Sequence, residues 1–331
     1  MKSYEELTFR GRNLRLRKLC IKALEAYSIE VARVRYLTTE STTMFRVDAV
    51  DGSKYVIRLY SEMDSSLAEN QTEMFWLAAL ARDTDLRVVQ PVARVDGDYI
   101  TFVSMEGVPA EKRCALYKWV PGVPLEKYIS KKTYYQLGAI MAALHNHAER
   151  LILPAHIQPK RWDKIFYFPD EKAVYNTSEF RDLYTPAQIR ILDRACACAD
   201  PFLAGIYKKD RIPFVIHGDL HFWNVHIHRG KLYVLDFEDM VMGFPAQDIS
   251  ICLYYLRNET TYAGLASAFQ AGYATVREWP SFSQRDLQML WVARMVNFVN
   301  YAAQVFDKDE DAREYITSRC VELEGFLTKT A

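Results

Sequence analysis

Residues 216–225, which read IHGDLHFWNV, and residues 235–237, which read LDF, decide the fold of this chain. The first stretch follows an apolar, strand-like run and carries Asp219 and, five positions later, Asn224. The second lies beyond a short hairpin and places Asp236 at the end of an apolar strand. An aspartate five residues before an asparagine is common by itself. The pattern is specific because a histidine stands two residues before that aspartate and an Asp-Phe strand end follows.

These residue types are the ones that phosphoryl transfer uses. The reaction needs an acceptor hydroxyl held in line with the phosphate, and a carboxylate that orients the hydroxyl and takes its proton. Its metal ions need hard oxygen ligands, which carboxylates and asparagine carbonyl groups supply. We therefore predict that Asp219 is the catalytic base and that Asn224 and Asp236 bind Mg²⁺.

Over nearly its whole length the chain resembles the aminoglycoside phosphotransferase and choline kinase family of small-molecule kinases. The specific part of the resemblance lies in HGDLHFWN (217–224), VLDFED (234–239) and QDI (247–249). Supporting matches are YVIRLY (55–60), TEMFWLAAL (72–80) and YKWVPG (117–122). The resemblance implies an α+β, two-lobed protein-kinase-like fold, with a small β-rich N-lobe and a large, mainly helical C-lobe.

The distribution of apolar residues predicts the same division. The first part of the chain contains several strand-like runs, two of them joined by Asp51-Gly52-Ser53, a strong hairpin signal. After the break at Pro121-Gly122 the apolar residues recur mostly at helical spacing. We predict a nucleotide-binding lobe over residues 1–118, and a helical lobe with the catalytic loop and acceptor site over residues 119–331.

A hydroxyl-rich turn, TTESTT at residues 38–43, lies between two predicted strands, where a phosphate-covering loop would stand. It contains no glycine, so the usual glycine-rich signature is absent. Hydroxyls and backbone N–H groups can still line phosphates, and we predict this role for Ser41, Thr42 and Thr43. The alternative is an ordinary polar hairpin.

Two further nucleotide contacts follow from the resemblance. Arg58 occupies the third strand, where a protein kinase carries a lysine that contacts phosphates and pairs with a helix carboxylate. The resemblance suggests Glu73 as its partner, with Glu69 the alternative one turn earlier; a solvent-facing Arg58 would have no such role. Trp119 and Val120 form the predicted hinge that binds adenine through its backbone, although Trp119 is as easily explained by packing.

The acceptor is expected to contact the helical lobe. Arg161, Trp162 and Asp163 form a plausible lining loop, but the same residues could cap the core. Glu238 follows the metal-binding aspartate by two positions and could bind a second metal ion or the acceptor. A carboxylate that only orders the loop is the alternative.

Composition excludes several classes of protein. Lys+Arg and Asp+Glu both number 42, so a globally basic nucleic-acid binder is disfavoured. No run approaches the 18 apolar residues of a membrane-spanning helix, and the first residues do not resemble a secretory signal. We expect a cytoplasmic protein with no nucleic-acid or membrane partner. The sequence leaves the oligomeric state open.

The expected reaction is transfer of the γ-phosphate of ATP, or possibly GTP, to a hydroxyl of a small molecule such as an aminoglycoside-, homoserine- or choline-like acceptor. A bacterial protein Ser/Thr kinase of the same fold is the first alternative, and a non-catalytic pseudokinase the second. Intact Asp219, Asn224 and Asp236 argue against the pseudokinase. Gly218 replaces the arginine that regulated protein kinases pair with an activation-loop phosphate, which argues against phosphorylation-controlled activity.

Overall fold

The computed structural model describes residues 2–39, 42–61, 65–155, 157, 159–168, 171–208, 211–306 and 309–330. Its helices are α1 (Phe9–Leu24), α2 (Leu67–Asp83), α3 (Lys131–Arg150), α4 (Pro186–Tyr207), α5 (Pro245–Tyr254), α6 (Tyr262–Ala274), α7 (Gln284–Val305) and α8 (Asp309–Thr330). Its strands are β1 (Val31–Thr39), β2 (Thr43–Ala49), β3 (Lys54–Leu59), β4 (Pro91–Val92), β5 (Ile100–Val103), β6 (Lys112–Lys118), β7 (Val123–Pro124), β8 (Phe214–Ile216), β9 (Val225–His228), β10 (Lys231–Val234) and β11 (Val241–Gly243).

The chain packs as two compact units, each assembled from separate stretches of sequence. Unit 1 comprises Met1–Tyr128, Leu153–Gln158 and Phe222–Glu238, and unit 2 comprises Ile129–Ile152, Pro159–His221 and Asp239–Ala331. The two predicted lobes instead share a single boundary, between residues 118 and 119. The structure differs because β9 pairs with β7, and because Val89 N–H donates to the carbonyl of Val234 at 2.9 Å.

Unit 1 is built on an antiparallel sheet in the order β1-β2-β3-β6-β4, with β5 also paired to β6. The hairpin between β2 and β3 turns at Gly52, whose φ of +85° is open to glycine without strain. Ser53 N–H donates to the Asp51 carboxylate at 2.8 Å and closes this turn. Helix α1 packs on the sheet through Leu19, Ala23 and other residues of a buried apolar cluster.

Unit 2 is mainly helical, and its closest helix pair is α3 with α6. Two glycines allow the backbones to approach: a Cβ at Gly138 would lie 2.0 Å from the Phe269 carbonyl oxygen, and one at Gly272 would lie 1.8 Å from that of Tyr135. No side chain fits at either glycine. Helices α4, α5 and α8 pack on α7, and β8 pairs with β11. No helix in the described parts of the chain is both long and apolar enough to cross a membrane.

Candidate active site

Unit 1 contains a buried cluster of charges around Arg58 on β3. The guanidinium lies 3.4 Å from Glu73 Oε1 and donates to Asp236 Oδ1 at 3.0 Å, with Glu238 Oε2 at 3.6 Å. The Arg58 side chain is only 7% exposed. Burial alone would lower the pKa of Arg58, but the surrounding carboxylates outweigh burial and raise it, so this cation is permanently charged.

Glu73 on α2 is the helix carboxylate that meets Arg58. The phenol of Tyr117 donates to its Oε1 at 2.9 Å and the phenol of Tyr60 to its Oε2 at 3.1 Å. Burial raises the pKa of Glu73, and these donors together with Arg58 oppose that effect. Glu69, the alternative partner, instead accepts the N–H of Ser66 at 2.7 Å in a capping box at the start of α2.

Asn224 and Asp236, the predicted metal ligands, lie on two segments that are joined by a hydrogen bond. Leu235 N–H, immediately before Asp236, donates to the Asn224 carbonyl at 2.9 Å. Asp236 has a φ of +57°, a left-handed conformation that aspartate tolerates better than most residues. Phe237 fixes the segment by packing edge-on against Trp76 of α2, with ring centroids 5.3 Å apart.

The donor set of these two residues fits a hard divalent cation. The Asp236 side chain is 43% exposed, so its carboxylate is open to a ligand although one oxygen accepts from Arg58. In the described part of the chain, no three His, Cys, Asp or Glu side chains converge as a metal site. A metal ion here would therefore take the Asn224 amide oxygen and phosphate oxygens in addition to carboxylate, which is the usual set for Mg²⁺.

The other predicted nucleotide contacts of unit 1 differ in how they are placed. Thr42 is buried and Thr43 opens β2, its hydroxyl accepting from that of Thr39 at 3.2 Å, whereas Ser41 lies outside the described residues. The N–H of Trp119 already donates to the Lys54 carbonyl at 2.9 Å, and its ring lies 4.9 Å from the Arg46 guanidinium carbon. Trp119 thus makes packing contacts within unit 1.

Unit 2 holds Asp219, and both of its carboxylate oxygens accept hydrogen bonds. His221 Nε2 donates to Oδ2 at 3.1 Å, and Arg294 of α7 donates to Oδ1 through Nη2. The same Nη2 reaches the Tyr255 hydroxyl at 3.2 Å. The Tyr255 ring also lies against that of His221, with centroids 3.8 Å apart, so the four side chains form one cluster.

The charge of Asp219 is fixed by this cluster. Burial raises the pKa of Asp219, but His221 and Arg294 outweigh burial and bring the pKa down to about 2. The carboxylate is therefore ionised throughout the neutral range. It is an anion held in place by donors, which suits the orientation of an acceptor hydroxyl.

The loop that carries Asp219 is held by Asp248 near the start of α5. The Asp248 carboxylate accepts the N–H of His217 at 3.2 Å and that of Gly218 at 3.0 Å, and it also accepts from buried His145 at 3.0 Å. Gly218 has a φ of +78°, and a Cβ there would lie 2.1 Å from the Asp239 carbonyl oxygen. The loop therefore has no room for an arginine at position 218.

The predicted acceptor loop of unit 2 lies partly in the core. Trp162 is buried, and its carbonyl accepts from Gln247 at 2.7 Å. Arg161 is exposed and Asp163 partly exposed; their side chains lie 3.5 Å apart, and the Arg161 guanidinium also lies above the Tyr207 ring. Further along the loop, burial raises the pKa of Tyr167, and the charges of Asp219, Asp239 and Arg294 lie close enough to influence it.

Sequence reasoning missed Arg294 and gave His221 no role. Arg294 is 75 residues from Asp219, and no local motif joins them. One signal was available: within the apolar stretch of α7, Arg294 is the only charged residue between Asp286 and Asp307. A lone cation in a buried helix needs a partner, and Asp219 supplies it.

Comparisons with known proteins agree on one family. Residues 36–283 match the model of the phosphotransferase enzyme family, APH. The amicoumacin kinase of Bacillus subtilis (strain 168) is 23% identical over 236 residues, which cover 70% of this chain and 66% of that protein.

Two solved structures share the fold. An amicoumacin kinase in complex with AMP-PNP, Ca²⁺ and Ami superposes with a TM-score of 0.76 at 18% identity, covering 95% of this chain and 96% of that one. A microcompartment-associated aminopropanol kinase gives a TM-score of 0.76 at 19% identity, covering 95% and 98%. The expectation of an α+β, protein-kinase-like fold is confirmed.

Proposed function

The chain belongs to the phosphotransferase enzyme family, and from this premise we propose that it transfers the γ-phosphate of ATP, or of GTP, to a hydroxyl of a small molecule. The observation that carries the proposal is Asp219: a partly buried, ionised carboxylate with a donor on each oxygen, at the predicted position of the base. The acceptor oxygen bonds to the γ-phosphorus while the bond to the β–γ bridging oxygen breaks. Asp219 takes the hydroxyl proton, and the nucleoside diphosphate leaves.

The other residues of the proposed site act on the nucleotide or on its metal ion. Arg58 is permanently cationic and is held by Glu73, which positions a planar donor for phosphate oxygens. Mg²⁺ bound by Asn224 and Asp236 would neutralise charge on the phosphates. Glu238 contacts Arg58 at 3.6 Å, so we assign it to ordering this cluster, with a second metal ion as the alternative.

Backbone contacts to the base and the phosphates complete the nucleotide site. Because the Trp119 amide is already bonded within the sheet, we propose that Val120 provides the hinge amide for adenine. Thr42 and Thr43 remain candidates for the phosphate loop. Ser41, which lies outside the described residues, remains a candidate on the basis of the sequence.

A small acceptor is favoured over a protein acceptor. The steric limit at Gly218 excludes the arginine through which regulated protein kinases read an activation-loop phosphate. The relatives by name are kinases of amicoumacin and of aminopropanol, both small molecules. For this chain we therefore propose a small hydroxylated acceptor, for which Arg161 and Asp163 remain candidate contacts.

The test is nucleotide consumption against a panel of amino alcohols, hydroxy acids, sugars and aminoglycosides, beside a generic protein substrate, with phosphorus NMR identifying the product. Mg²⁺-dependent formation of a phosphate monoester on one small molecule supports the proposal. Phosphorylation of the protein substrate alone contradicts it. Removal of Mg²⁺ by a chelator should abolish transfer.

A further inference from the structure

The surroundings of Arg294 are unusual for a cation. Its side chain is 11% exposed, and the guanidinium carbon lies 4.6 Å from the centre of the Phe298 ring, one helical turn along α7. Its one carboxylate partner among the described residues is Asp219, which the proposed function assigns to the acceptor hydroxyl. A largely buried guanidinium is thus in direct contact with the proposed base.

Not every N–H group of the Arg294 guanidinium donates a hydrogen bond. Nη2 donates to both Asp219 and Tyr255, while Nε is buried and meets no hydrogen-bond acceptor within the described residues. Nε and Nη2 form the edge of arginine that binds a carboxylate through two parallel hydrogen bonds. Asp219 contacts that edge through Oδ1 alone, and Tyr255 takes the second N–H of Nη2, so the N–H of Nε is the donor left on this edge for a second anion.

A second anion would also help the reaction. Arg294 contributes to holding the pKa of Asp219 at about 2, which makes this carboxylate a weak base in the free protein. An anion that shared the guanidinium would weaken the hold of Arg294 on Asp219. The base would then become more basic when an acceptor with such an anion is bound.

We propose that Arg294 binds a carboxylate of the acceptor, so that the preferred substrate class is hydroxy acids and hydroxy amino acids. The inference rests on the proposed function and specifies its acceptor. The acceptor hydroxyl must lie within a few bonds of the carboxylate, because Arg294 and the base are in direct contact.

The surrounding charges favour a carboxylate over the other candidates. The titratable groups facing Arg294 are Asp219, Tyr255 and Tyr167. Asp239 and Glu171 lie close enough to Tyr167 to raise its pKa further. Alongside these acidic groups, one guanidinium suits a monoanion better than the nearly doubly charged phosphate monoester. A polycationic aminoglycoside would have to bring its ammonium groups close to a buried guanidinium.

The test compares acceptors that differ only by a carboxylate. Serine and ethanolamine, homoserine and 3-amino-1-propanol, and threonine and 1-amino-2-propanol are three such pairs. In the wild-type protein we expect kcat/KM to be about 10- to 100-fold higher for the acid of at least one pair, the worth of a charge-assisted hydrogen bond. Arg294→Met should bring that ratio close to one, mainly by raising KM for the acid, and Arg294→Lys should recover part of it.

Arg257→Met is the matched control. Arg257 is also largely buried, lies 3.7 Å from the centre of the Tyr254 ring and binds one carboxylate, but that carboxylate is Glu322 of α8. This variant should lose comparable stability and keep the wild-type ratio. If Arg294 had only a structural role, Arg294→Met would lower kcat/KM equally for both acceptors of a pair.

Three outcomes overturn the inference. The first is the same ratio in Arg294→Met as in the wild type, and the second is a wild-type preference for the decarboxylated alcohols. The third is transfer only to acceptors outside these pairs that lack a carboxylate. In each case the proposed function stands. If no alcohol of any kind accepts phosphate, the proposed function fails and the inference fails with it.

Discussion

Arg58 lies within 3.6 Å of three carboxylates, and this cluster links residues that are far apart in sequence. A cation on a strand beside a helix carboxylate could be predicted, because strand and helix follow each other in the chain. The contact with Asp236 could not, since it depends on how β9 and β10 return to this unit. The same holds for Arg294, whose helix begins 65 residues after Asp219.

Glu73→Gln tests the cluster at the level of one side chain. The change removes the counter-charge closest to the core while Asp236 and Glu238 remain, so we expect a loss of about 3 kcal/mol in the free energy of unfolding. ATP affinity should fall as well, because Arg58 is no longer held from the side of α2. Urea denaturation and nucleotide titration measure the two effects.

Glu69→Gln is the control for that prediction. Glu69 lies on the same helix but serves the capping box, so its change should cost about 1 kcal/mol or less and leave ATP affinity unchanged. A Glu69→Gln variant as damaged as Glu73→Gln would contradict the account of Arg58.

Helices and strands followed local sequence signals well, and the differences have physical causes. Helix α3 spans Lys131–Arg150, where a serine cap and a clear apolar stripe mark it in the sequence. A proline inside a helix commonly ends it, but helix α4 continues through Pro201 to Tyr207. Packing accounts for the difference: Leu203 is fully buried, and such tertiary contacts offset the hydrogen bond that proline cannot make.

Gly272→Ala tests the contact of α3 with α6. The added methyl group would lie 1.8 Å from the Tyr135 carbonyl oxygen, so the helices must move apart, at a cost of about 3 kcal/mol in unfolding free energy. Gly205→Ala on α4 is the control, because among the described residues no atom outside the adjacent backbone of the helix lies within 4 Å of its new methyl group. It should be neutral or stabilising by up to about 1 kcal/mol. Equal effects in thermal unfolding would contradict the packing described for α3 and α6.

At the scale of the whole molecule, sequence reasoning identified the fold and the phosphotransferase family, whereas the two units of the structure do not follow the single predicted boundary between residues 118 and 119. Residues 222–238 belong to unit 1, because strand pairing over distance, which periodicity cannot report, recruits them. The balance of 42 basic and 42 acidic residues excluded a basic nucleic-acid binder. It did not reveal that a cation stands beside the predicted base, which is the feature that bears on the acceptor.

The central claim is that Asp219 is the base of a phosphoryl transfer, and Asp219→Asn tests it most directly. The measurement is single-turnover transfer from γ-labelled ATP to the best acceptor of the panel, together with ATP affinity in the presence of Mg²⁺. Asparagine keeps the shape, and its amide oxygen can still accept from Arg294, so we expect ATP affinity within about threefold of wild type and transfer reduced by 10²-fold or more. Transfer at the wild-type rate by this variant would contradict the account.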